Sequence, residues 1–107
     1  MAAAETVTNV PLPDSLVLTN RTGVEVWFTL SRLATDTDGR QCVERGLEIR
    51  QAGKRLKVPL LYTGTTPVLL NDSTMRATLW THCRPGHAYR VDLRTGQPLR
   101  EPGGGGR

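Results

Sequence analysis

The chain reads as all-β, an antiparallel β-sandwich of about seven short strands, on three observations. Apolar and polar residues alternate at period 2 in several segments, and clusters of Gly, Pro, Asn and Asp interrupt them roughly every eight to twelve residues. No segment combines helix caps with a 3.6-residue repeat. Composition agrees: hydrophobic content is 37% with only five aromatic residues in 107, so a core must come mainly from Val and Leu. A chain of this length supports one domain and buries roughly 65% of the surface exposed when unfolded.

The segments divide the chain into an extended N-terminal arm (1–13), a sandwich body (14–94) and a Gly/Pro-rich disordered tail (95–107). Asn20-Arg21-Thr22-Gly23 separates Ser15–Leu18 from the alternating Val24–Leu30, which predicts an opening hairpin: Asn tolerates left-handed backbone angles and Gly adopts them without steric cost. Val24, Val26, Phe28 and Leu30 are expected on one strand face, with Glu25, Trp27, Thr29 and Ser31 on the other. An outward Trp27 then covers a sheet edge or meets a partner.

The polar turn Ala34–Gly39 places Asp36 and Asp38 at calcium-loop spacing, but its Gly falls at the wrong position and Leu47 stands where a bidentate Glu is required. A short piece around Cys42-Val43, then Leu47–Arg50, the turn Gln51–Lys54 and Leu56–Tyr62 follow. Pro59 lacks an N–H and so demands a sheet edge or a bulge. Val68–Leu70, the turn Asn71–Ser73, an alternation of Met75, Ala77 and Leu79, a predicted turn at Arg84–His87 and a last alternation of Tyr89, Val91 and Leu93 complete the body.

The net charge is +4 with a sequence pI near 9.7, yet the arginines are scattered and the one dense basic group, Lys54-Arg55-x-Lys57, lies at a turn. That distribution disfavours nucleic acid as a partner; the nearest approach to a binding face is Arg76, Thr78 and Trp80 on one strand. No apolar stretch is long enough to span a bilayer, and Met1–Ala4 lacks the features of a signal peptide, which predicts a cytoplasmic protein. In that compartment Cys42 and Cys83 are expected as reduced, buried thiols, and the acceptors at Asn20 and Asn71 as turn residues.

No phosphate loop or catalytic constellation is evident. His82, Cys83 and His87 with Cys42 have the residue types of a zinc site, but adjacent His82 and Cys83 point to opposite faces of a strand and no Cys-x2-Cys pair supports them. A Cys–His nucleophile pair lacks a third group to orient the imidazole. The expectation is a noncatalytic protein with no metal and no cofactor; a small enzyme and a basic nucleic-acid-binding β-domain are the alternatives.

Asn20–Gly23 with Val24–Trp27, followed by Gly53-Lys-Arg-Leu-Lys-Val-Pro-Leu60, resembles a repeat of the adaptor-binding region in chorein-type lipid-transfer proteins of the vacuolar protein sorting family. The resemblance implies a sandwich that docks a larger protein at organelle membrane contact sites by binding short proline-containing peptide motifs of adaptor proteins. Any acidic membrane surface is then approached indirectly. It implies a structural role for Asn20 and Gly23 and makes Trp27, Pro59, Tyr62 and Trp80 candidate peptide-binding residues. A second resemblance, through Asn20–Thr22, Val26-Trp27 and Ser73 preceding Leu79-Trp80, is to the β-domain of the von Hippel–Lindau ubiquitin-ligase adaptor, which implies substrate-peptide recognition. The His-Ser pairing characteristic of that family is absent.

Overall fold

Two four-stranded antiparallel meanders, connected by residues 64–67, stack face to face in the computed structural model, which describes residues 12–102. The first sheet contains β1 (Ser15–Thr19), β2 (Glu25–Thr35), β3 (Gln41–Gln51) and β4 (Lys54–Thr63) in that order; the second contains β5 (Val68–Asn71), β6 (Thr74–Thr81), β7 (Arg84–Asp92) and β8 (Pro98–Arg100). The β-sandwich expected from periodicity is therefore present, with eight strands. Among the described residues no helix is long and apolar enough to cross a membrane.

The core lies between the sheets. Val24, Val26, Leu47, Ile49, Val58 and Leu61 from the first meet Met75, Ala77, Val91 and Leu93 from the second, all at most 5% exposed. Each large aliphatic residue buried this way contributes about 1.5–3 kcal/mol. Val26 faces Ile49 and Met75 faces Val91 across their ladders, so the pairs that set register are also core pairs.

The opening hairpin forms as its turn residues dictate. Asn20 Oδ1 accepts hydrogen bonds from the backbone N–H groups of Thr22 and Val24 and from the Thr22 hydroxyl, and Gly23 adopts φ +89°. The other end of the same amide crosses to the second sheet: Nδ2 donates to the Asp72 carbonyl at 2.6 Å. Asn20 thus shapes one turn and holds it against the β5–β6 turn.

Three local features differ from the period-2 reading. In β2 a register shift between Phe28 and Ser31 inverts the alternation, so Leu30 is 43% exposed and Ser31 is buried. Carbonyls of Phe28 and Leu30 at this bulge accept from the Arg45 guanidinium, which also reaches Pro13 O. Second, Arg84–His87 is not a turn. The β6–β7 hairpin closes at His82-Cys83, both with positive φ (51° and 65°), and Pro85 lies in β7 opposite Trp80. Two consecutive left-handed residues match the right-handed twist of the flanking strands, and this two-residue solution prevails over the Pro-Gly signal. Third, β8 lies inside the segment expected as a tail. Tyr89–Val91 pair with Pro98–Arg100, and Gly96, at φ +78°, fits a turn in which a Cβ would come within 3.2 Å of the Lys57 carbonyl. Residues 103–107 of that tail and residues 1–11 of the arm lie outside the described residues.

Pro59 meets both of its predicted conditions. β4 is an edge of its sheet, and its pairing jumps from Glu48↔Lys57 to Gly46↔Tyr62, so residues 58–61 face Leu47 alone. Val58 and Leu61 turn inward, while Leu60 is 89% exposed at φ +61°. A left-handed non-glycine residue costs about 1–2 kcal/mol. Leu60→Gly is accordingly expected to raise stability by about 1 kcal/mol in urea denaturation; an unchanged or lower midpoint would contradict the strain.

Candidate functional site

The outward face of the second sheet carries the candidate site. On β6, Met75, Ala77 and Leu79 pack inward, so Thr74, Arg76 and Thr78 face out. The ladders then place Val68 of β5 opposite Arg76, Arg76 opposite Arg90 of β7, and Arg90 opposite Leu99 of β8. The result is one row across four strands, two guanidiniums flanked by two aliphatic side chains, with Val68 59% and Leu99 72% exposed. Beside this row lies a groove of about 660 Å³ whose walls include Leu70, Thr74, Arg76, Arg90, Pro98 and Leu99.

Like charges directly opposite on a ladder repel, and a single carboxylate reconciles this pair. Glu101 Oε2 accepts from Arg76 Nε at 2.8 Å and Arg90 Nε at 3.2 Å, while the Glu101 N–H donates to Ala88 O and extends the β8 pairing. The Arg76 hydrogen bond, reinforced by that of Arg90, holds the Glu101 carboxyl below the usual range against the opposing effect of desolvation. At the groove's edge the Asp92 carboxyl is likewise lowered by its hydrogen bonds from the Arg94 side chain and backbone.

The β6–β7 hairpin that aligns the two arginines is anchored from the first sheet. Glu44 is fully buried; its Oε1 accepts from Arg32 Nε at 2.9 Å and its Oε2 from the Cys83 N–H at 3.1 Å. Cys42 and Cys83, expected as separate reduced thiols, form a disulfide that links β3 to the same turn. The bond joins positions 41 residues apart, a loop whose closure in the unfolded chain corresponds to about 4 kcal/mol on the chain-entropy model.

The sequence-derived candidates do not converge on one surface. Trp27 faces outward on β2, as its parity predicted, but its Nε1 donates to Glu25 and the Arg50 guanidinium lies 4.4 Å above its ring, held there by Glu48 and Asp14. Tyr62 lies beneath the Arg32 guanidinium at 4.1 Å, and Trp80 gives its carbonyl to the same arginine while its ring presses on Gly64, where a Cβ would come within 2.9 Å. These two aromatics meet at Arg32; Pro59 projects from the neighbouring β4 bulge. Trp80 is therefore packed against the loop instead of standing free beside Arg76 and Thr78. Of the residues considered for zinc, both sulfurs are in the disulfide and both His87 ring nitrogens lie within 3.3 Å of Arg100 Nη2.

No protein-family model, curated protein or solved structure matches the chain. The residues that sequence reasoning passed over are Val68, Leu70, Arg90 and Leu99. Leu99 falls within the presumed tail, and a turn at Pro85-Gly86 slides β7 along β6 so that Arg76 and Arg90 no longer meet. Recognising His82-Cys83 as a two-residue hairpin turn was the available signal.

Two outcomes follow from this geometry. Glu44→Ala leaves Arg32 and the Cys83 N–H without their acceptor and is expected to cost about 3 kcal/mol in chemical denaturation; a loss under about 1 kcal/mol would contradict the anchoring role. Because the folded Glu101 pKa is depressed, its hold on β8 is complete above the unfolded value of about 4.3 and is lost as pH falls through the folded value. The Arg76 and Arg90 Nε–H resonances should thus titrate together below pH of about 4.3; a midpoint at or above that value would contradict the bridge.

Proposed function

We propose that this domain is a noncatalytic interaction module that captures a short extended peptide by strand addition at β5, with alternate side chains entering the adjacent groove. The observation that carries the reading is the character of β5. It is a four-residue edge strand, Val68-Leu69-Leu70-Asn71, with no charge and with Val68 and Leu70 59% and 39% exposed. Soluble proteins usually protect such edges with charges, proline or a covering segment, because unpaired N–H and C=O groups template a further strand. In strand addition the main chain provides affinity and pockets provide selectivity. The groove lining supplies aliphatic, hydroxyl, amide and guanidinium groups with one carboxylate, Asp92, a set suited to holding a peptide.

Proline-containing adaptor segments, as the lipid-transfer resemblance implies, are one source of such a peptide. The disulfide favours action in an oxidising compartment over the cytosol.

Selection of a random peptide display library on the full chain is expected to recover specific ligands. Val68→Lys should weaken their binding about tenfold or more by charging the edge, while Leu16→Lys, on the apolar edge strand β1, should leave it unchanged. Failure to recover any ligand, or loss confined to the β1 variant, would overturn the assignment.

A further inference from the structure

We propose that the β3–β4 hairpin carries a second binding site, independent of β5, at which Lys54, Arg55 and Lys57 hold a linear sulfated polysaccharide. The observation that points to it is how the cations of this molecule are paired. Arg21, Arg32, Arg50, Arg76, Arg90 and Arg94 each bond a carboxylate, and Arg45 is occupied by main-chain carbonyls. Among the described residues Lys54, Arg55 and Lys57 have no carboxylate partner, and all three are exposed at the start of β4. Arg40 and Arg84 also lack one, but they lie at the β2–β3 turn with Asp36 and Asp38; Arg100 meets His87 on β8. Unneutralised charge is therefore concentrated at the hairpin.

The acids nearest to it are already engaged. Glu48, opposite Lys57, is buried and accepts from Arg50 Nε at 2.6 Å; Arg50 also takes Asp14, and Glu25 gives Oε1 to the Trp27 indole. Arg55 stands directly opposite Arg50 on the ladder. Like charges in that relation repel, so an anion laid across them is stabilised. Beside the pair, a cavity of about 370 Å³ has walls that include Glu25, Arg50, Gly53, Lys54 and Arg55.

Shape favours a linear chain over a flat membrane. Leu56 turns inward, so Arg55 and Lys57 share the outward face about 7 Å apart while Lys54 projects from the other. Cations on both faces of one strand are ill placed against a plane, but they can grip a polymer that crosses the hairpin. Single-stranded nucleic acid needs open aromatic rings for its bases, and the aromatic on this face, Trp27, is covered by Arg50 at 4.4 Å. The disulfide favours an oxidising compartment, where sulfated polysaccharide is the extended polyanion at hand.

Heparin is the probe. The full chain should bind it at about 50 mM salt, and chemically desulfated heparin should not compete. The variant K54Q/R55Q/K57Q should bind about tenfold or more weakly, and the slope of log K against log salt should fall by about two to three. R40Q/R84Q/R100Q removes the same net charge elsewhere and should stay within about twofold of the parent. Melting temperatures establish that both variants are folded. Absence of heparin binding by the parent, or equal losses in the two variants, would overturn the site. Tighter binding through the same three residues to single-stranded RNA, or to vesicles of equimolar phosphatidylcholine and phosphatidylserine, would overturn the polysaccharide assignment.

Discussion

Glu44 is the constraint on which the rest of the molecule depends. A carboxylate with no exposed surface is costly to desolvate and is tolerated only when its oxygens are hydrogen-bonded and its charge is paired. Here one oxygen takes Arg32 from β2 and the other takes the Cys83 N–H from the opposite sheet. That second bond holds a turn made of two left-handed non-glycine residues, a conformation that needs external support. The disulfide fixes the same turn covalently. With the turn placed at His82-Cys83, Thr81 pairs with Arg84, one register shift intervenes between Thr78 and Trp80, and Arg76 then meets Arg90, six positions beyond Arg84 and well away from the anchor.

The two sheets are tied at their ends by polar groups and between them by aliphatic packing. Asn20 closes one end through Asp72, and Glu44 with the disulfide closes the other. Aromatic side chains, which usually dominate small cores, are largely spent elsewhere: Trp27 under Arg50, Tyr62 under Arg32 and Trp80 against Gly64. Those internal contacts occupy the aromatics, while on the outward face of the second sheet apolar and charged groups remain open together.

Much of this was legible in the sequence. Asn20 and Gly23 announced the first hairpin, Pro59 announced an edge and a bulge, and the alternations at Met75–Leu79 and Tyr89–Leu93 announced inward faces. What was not legible depended on register. The inversion at Leu30 arises from a bulge whose freed carbonyls are satisfied by Arg45, a residue remote in sequence. The β6–β7 turn was masked by a stronger Pro-Gly signal two residues on, and β8 is three residues long, below the length at which alternation is detectable. The candidate site is built from these register-dependent pairs, which explains why composition and motif reasoning went to the aromatics first.

Strand capture at β5 is most directly tested by amide hydrogen exchange of Val68–Asn71 in the full chain, free and with a selected peptide bound. In the free domain the outward-facing amides of this edge should exchange rapidly, and on binding they should gain at least about tenfold protection while β1 is unaffected. Unchanged exchange at β5 in a saturated complex, or protection confined to β1, would contradict capture at this edge.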